Sequence, residues 1–157
     1  MDGLRIIEDS RQQAGKHEAK HAAWDAHGDK YYRCALPCGD YALFPRVSVD
    51  TKANMQEIAQ NIGGTTKEHE RFRRELQLAQ AYGCHLYVLV ENEDGISDLQ
   101  SVESWVNPRL IDSPKAITGQ RLARAMATMQ ERYGCTFLFC APDRAAGIIH
   151  YLLERGT

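Results

Sequence analysis

Apolar and polar positions divide the chain into alternating strand-like and helix-like stretches. Residues 4–8 read as a first strand that ends at Asp9-Ser10. Residues 14–27 are helical and stop at Gly28. Three short strands follow at 31–35, 40–44 and 47–52, separated by turns at Leu36-Pro37-Cys38-Gly39 and Pro45-Arg46. A short helix over 55–62 ends at Gly63-Gly64, and a longer one runs from 67 to 82. In the longer helix Phe72, Leu76 and Ala79 keep helical spacing on one side, and Lys67, Arg71 and Arg74 on another. Residues 84–90 and 135–141 are nearly continuous apolar runs, the pattern of strands buried on both faces. A helix is expected near 98–105. Thr118 caps another that reaches Tyr133 with a Leu122, Met126, Met129, Tyr133 stripe. Pro142-Asp143 opens a last helix carrying Ile148, Ile149, Leu152 and Leu153 inward.

This order predicts an α/β protein: an antiparallel meander first, parallel strands later, and a mixed central β-sheet flanked by helices. The 157 residues fit one domain across the whole chain, 1–157, with 43% apolar and 25% charged content as in ordinary globular proteins. No apolar run approaches the ~18 residues of a membrane span. The N-terminus has no basic-plus-apolar signal segment, so an intracellular protein is expected, cytoplasmic or nuclear. Five cysteines, an odd number, fit a reducing compartment and buried thiols. The net charge of −2 excludes neither nucleic acid nor other partners, because charge is unevenly spread. Residues 91–103 hold five acids and no base, whereas bases cluster at 67–74 and 109–124.

Candidate chemistry begins with Asp50 and Lys52. Strand alternation sends residues two apart to the same face, and Asp40 approaches from the preceding strand. Two carboxylates held together repel unless a cation lies between them, and hard divalent cations prefer carboxylate oxygens. A lysine beside them suits stabilisation of a phosphorane or activation of water. The competing reading is a salt-bridged surface hairpin. His17 and His21 have the i, i+4 spacing of a zinc pair but no third ligand, so zinc is not expected.

Taken in order, these residues resemble the ERCC4-type nuclease domain of the XPF family, within the restriction-endonuclease-like PD-(D/E)xK superfamily. The matching pieces are Asp9-Ser10-Arg11-Gln12 at the end of the first strand, the Gly39-Asp40-Tyr41 turn and the Asp50-Thr51-Lys52 strand. The basic helix from Arg71, the strand from Leu86 to Glu91, and the strand and proline from Phe137 to Pro142 extend the likeness over almost the whole chain. The resemblance implies a metal-dependent DNA endonuclease acting on branched, flapped or junction DNA in repair or recombination. It implies that Asp40, Asp50 and the Thr51 carbonyl hold Mg²⁺ or Mn²⁺, and that Lys52 serves the attacking water or the developing charge. Asp9 and Arg11 join the site edge, or else form a strand-end ion pair. Lys67, Arg71 and Arg74 contact DNA phosphates, or else form a solvated helix face.

The chain departs from the family pattern at three places. Asp50 stands for a glutamate and Thr51 for an arginine. Gln56 stands where the family has an aspartate, with Glu57 next to it as a possible extra acid. These departures favour an alternative: a catalytically weak nuclease fold serving as a DNA-binding or partner-docking module. A Holliday-junction resolvase of the same superfamily is a further alternative. Apolar surplus on the last helix (Ile148, Ile149, Tyr151, Leu152, Leu153) suggests a homodimer.

Overall fold

A computed structural model describes residues 3–13, 15–43 and 46–155. Phe44, the expected end of the third strand, and Pro45 of the following turn lie outside them, as does Ala14, the expected start of the first helix. The elements are β1 Arg5–Asp9, α1 Glu18–His27, β2 Lys30–Cys34, β3 Tyr41–Leu43, β4 Val47–Lys52, α2 Met55–Gly63, α3 Thr66–Ala81, β5 His85–Glu91, α4 Leu99–Val102, α5 Gly119–Tyr133, β6 Thr136–Cys140 and α6 Ala145–Arg155. Short 3₁₀ turns at Pro108–Ile111 and Pro142–Arg144 each start on a proline.

The six strands form one mixed sheet in the order β2-β1-β3-β4-β5-β6. β4, β5 and β6 are parallel, with Asp50 opposite Val88 and Val88 opposite Phe137. The N-terminal half is not a simple meander. β2 pairs with β1 in parallel, at the sheet edge, and β3 inserts antiparallel between β1 and β4. The reason is α1: two strands joined through a helix form a βαβ crossover, and a crossover makes its strands parallel. The connection over residues 35–40 then carries the chain back past β1.

Side-chain alternation on the parallel strands sorts two cores. Leu86, Val88, Val90 and Phe137 face α2, α3 and α5, together with Ile58, Phe72, Leu76, Leu122 and Met126. Val47, Val49, Leu89 and Cys140 face the other way, with Trp24 of α1 and Ile149 and Leu153 of α6. Trp24 also donates its indole N–H to the Ala146 carbonyl at 3.1 Å, tying α1 to α6. Each fully buried side chain of leucine or phenylalanine size contributes roughly 1.5–3 kcal/mol. Ile149 and Leu153 are fully buried, so part of the apolar surplus expected for a partner belongs to the chain's own core.

Candidate functional site

β4 lies inside the sheet, between β3 and β5, and yet carries Ser48, Asp50 and Lys52 as buried residues. Polar side chains on an inner strand are costly unless paired. Ser48 donates to the Cys38 carbonyl at 2.7 Å, which fastens the turn that precedes Asp40. That turn needs glycine at position 39. Its φ is +75°, and an added Cβ would come within 2.0 Å of the Ser48 hydroxyl oxygen. The Gly39 N–H donates to Glu75 Oε1 on α3 at 2.7 Å.

Asp50 and Lys52 project to the α3 side of β4. Asp50 Oδ2 lies 2.7 Å from Lys52 Nζ, an ion pair whose angle leaves that oxygen without a directed hydrogen bond. Lys52 Nζ also sits 5.2 Å from the centroid of the Phe72 ring. Burial pushes the Asp50 carboxyl well above the usual carboxylate range; Lys52 opposes the shift, and Glu75 and Asp40 add to it. For Lys52 burial pulls the other way, but the charges of Asp50, Glu75 and Asp40 outweigh it and hold the ammonium above its ordinary value. These cross-influences place Asp40 and Glu75 in the same electrostatic neighbourhood as the pair.

Asp40 is half-buried just before β3. Its backbone N–H bonds the Val49 carbonyl at 2.8 Å, and its own carbonyl accepts from Asp9 N–H at 2.7 Å. Its Oδ2 accepts from the Thr51 N–H at 2.6 Å and the Thr51 hydroxyl at 2.7 Å, so the carboxylate closes over the end of β4. Asp40 thus acts on Asp50 and Lys52 on one face of the sheet and on Tyr41 and His17 on the other.

Other expected residues are placed elsewhere. Asp9 is buried, but its carboxylate is engaged by Arg11 Nε at 3.0 Å and by the Leu36 N–H at 3.1 Å. Arg11 reaches on to the Leu36 carbonyl, so the pair clamps the connection leading to the Gly39 turn. Glu57 is exposed and accepts from the Ala53 N–H at 2.7 Å, while Asn54 accepts from the Glu57 N–H at 2.9 Å. That makes Glu57 part of the cap of α2 and not a fourth acid of the cluster. Gln56 lines an open groove of about 930 Å³ with Ala53, Asn54, Asn92, Glu93 and Trp105, at the carboxyl ends of β4 and β5. Ligands in open α/β sheets bind in such crevices. Lys67, Arg71 and Arg74 are all exposed on α3. His21 bonds Glu8 and stacks on Tyr31 at 4.1 Å between centroids, while His17 meets the Tyr41 ring edge-on.

Glu75 was not anticipated from sequence. Its signal was present: it lies three residues after Phe72 and next to Leu76, at the margin of the buried stripe of α3, where an acid is out of place on a core-facing helix.

Among the described residues, no three His, Cys, Asp or Glu side chains converge as a metal cage. The oxygen donors nearest a possible divalent cation are those of Asp40 and Asp50, and Asp50 Oδ2 already faces the Lys52 ammonium. Asp50 Oδ2 is a buried oxygen with no directed hydrogen bond, and both Thr51 bonds to Asp40 fall on Oδ2 alone.

The chain is thus a mixed six-stranded sheet with helices on both faces and an acid–lysine pair on an inner strand. XPF from Aeropyrum pernix shares this fold. A structure of XPF from Aeropyrum pernix superposes over 96% of this chain with a TM-score of 0.64 and 19% identity. A second, of the same protein in complex with DNA, covers 97% with a TM-score of 0.63 and 16% identity. This chain spans 64% of the length of each. No family model and no curated protein matches the chain.

Proposed function

We propose that this chain is a divalent-metal-dependent DNA endonuclease that hydrolyses phosphodiester bonds in branched, flapped or junction DNA. One observation carries the reading: on an inner strand of a nuclease fold, Asp50 and Lys52 form a buried pair, with Asp40 and Thr51 at its open end. Asp40, Asp50 and the Thr51 carbonyl would hold Mg²⁺ or Mn²⁺, which supplies a polarised phosphate oxygen and a more acidic water. Lys52 keeps its proton and presents an ammonium to the negative charge that develops at phosphorus. Glu75 holds the Gly39 turn, and with it Asp40, against α3. Lys67, Arg71 and Arg74 line α3 as phosphate contacts. Two copies would pair along α6 at its exposed Tyr151, beside Ile148 and Leu152, which are half-buried against the chain's own core, and an intracellular setting belongs to the same reading.

A panel of labelled flap, fork, four-way-junction and linear DNAs, incubated with Mg²⁺, Mn²⁺ or EDTA, tests this. Cleavage near the branch that needs metal is expected. Symmetric nicks confined to the four-way junction would instead indicate a resolvase. A second reading has one observation of its own: the Asp40 carboxylate is already bonded by Thr51, and Gln56 supplies no further acid. Structure-selective DNA binding without cleavage in any metal would establish that weak or inactive module.

A further inference from the structure

On the flank of α3 that faces away from the site, α3 and α5 enclose a shallow groove of about 390 Å³. His69 and Arg73 form one wall and Arg121, Arg124 and Arg132 the other, over a floor of Ala125, Met129 and Tyr133. All four arginines are exposed, and none is in an ion pair with any described residue. Arg132 only rests over the Tyr133 ring, at 5.8 Å. Four guanidiniums converging without a carboxylate repel one another, and a solvated helix face would ordinarily intersperse acids. A polyanion lying between the walls would neutralise all four at once.

We infer that this groove binds the backbone of a single DNA strand, at a site separate from the Asp50–Lys52 centre. Guanidinium forks match phosphate oxygens, which favours a phosphodiester over a carboxylate peptide. The arginines are spread along the groove: Arg121 and Arg132 are separated by roughly 16 Å of helix, room for several successive phosphates. Two walls with an apolar, aromatic floor admit one strand with its sugars and bases. The volume of about 390 Å³ suits one strand, and a duplex would meet only the exposed arginines of the walls. Arg73 and Glu75 point about 160° apart on α3, so the strand in this groove is not the one presented to Lys52. The inference takes DNA as the polyanion from the nuclease reading. In a branched substrate the groove would hold the unpaired strand while the other flank of α3 meets the scissile one.

The test is fluorescence anisotropy with a labelled single-stranded 20-mer, a duplex of the same sequence, and polyglutamate as competitor, over a salt series without divalent metal. The proteins are the full chain, the triple variant Arg73→Ala, Arg121→Ala, Arg124→Ala, and Asp50→Asn. The triple variant should bind the single strand about tenfold or more weakly, with its log–log salt slope reduced by about 2, and should keep its melting temperature. Asp50→Asn should bind it like the wild type. Wild-type affinity and slope in the triple variant would overturn the inference. So would a loss confined to the duplex, or displacement of the strand by polyglutamate at equal charge, which would mark an acidic-peptide groove. The two readings fail separately. A protein that binds the strand through these arginines but cleaves nothing refutes the nuclease and keeps the groove. One that cleaves, while the triple variant binds undiminished, does the reverse.

Discussion

Burying Asp50 and Lys52 on an inner strand removes two charges from water, at a cost of several kcal/mol each that mutual attraction only partly offsets. A fold selected for stability alone would place apolar residues there. The double variant Asp50→Asn, Lys52→Met should therefore melt at the wild-type temperature or above it in calorimetry, while losing all cleavage. A marked drop in melting temperature would show that the pair is structural. The elevated carboxyl of Asp50 also fixes a pH dependence. Proton and cation compete for the same oxygens, so Mn²⁺ affinity measured by titration calorimetry should rise with pH beyond the ordinary carboxylate range and level off once Asp50 is fully ionised. Flat affinity from pH 5 to 8 would place the metal elsewhere. Lys52→Ala should leave binding of metal and DNA intact and slow single-turnover cleavage by roughly 10²–10³-fold. At this scale the sequence made the side-by-side placement of Asp50 and Lys52 legible, because alternation on a strand sends residues i and i+2 to one face. It failed at Glu57 and Glu75. Choosing between two acids on helices requires knowing which helix face docks: Glu57 sits in the first turn of α2, where the free backbone N–H groups claim it, and Glu75 lies on the side of α3 that meets the Gly39 turn.

The elements were predicted almost to the residue where patterning was strong. β4 spans the expected residues, and β5, β6, α3 and α5 differ by about one residue at their ends. Asp98 and Thr118 are N-caps that accept from Ser101 and Arg121 backbone N–H groups. What patterning did not carry was partner choice in the sheet. β2 is mostly exposed, so no hydrophobic face fixed its neighbour, and its place beside β1 follows from the α1 crossover. The site depends on this arrangement, since β3 must lie between β1 and β4 for Asp40 to reach Thr51. Trp24, fully buried and bonded to Ala146, joins α1 to α6 beneath that part of the sheet. Trp24→Ala should cost about 3–5 kcal/mol in denaturant unfolding. A loss below 1 kcal/mol would mean that α1 docks without it.

For the whole molecule, charge is divided between surfaces. The acidic segment over 91–103 borders the groove at the strand ends, whereas α3 and α5 carry the bases. Among the described residues no helix is long and apolar enough to cross a membrane. The five cysteines are free, and only Cys34 is exposed. Burial pushes the Cys135 and Cys140 thiols up to about 11. A single alkylation per native chain at neutral pH, rising to five on unfolding, is the expected mass-spectrometric result. On the proposed reading, Asp50 and Lys52 cleave DNA with metal assistance. Its most direct test is single-turnover cleavage of an end-labelled flap substrate in Mg²⁺, comparing the wild type with Asp50→Asn prepared identically. The wild type should cut near the branch and stop on addition of EDTA, with Asp50→Asn inactive though still bound to the DNA. Equal cleavage by the two proteins, or cleavage by the wild type that EDTA does not stop, would contradict the account.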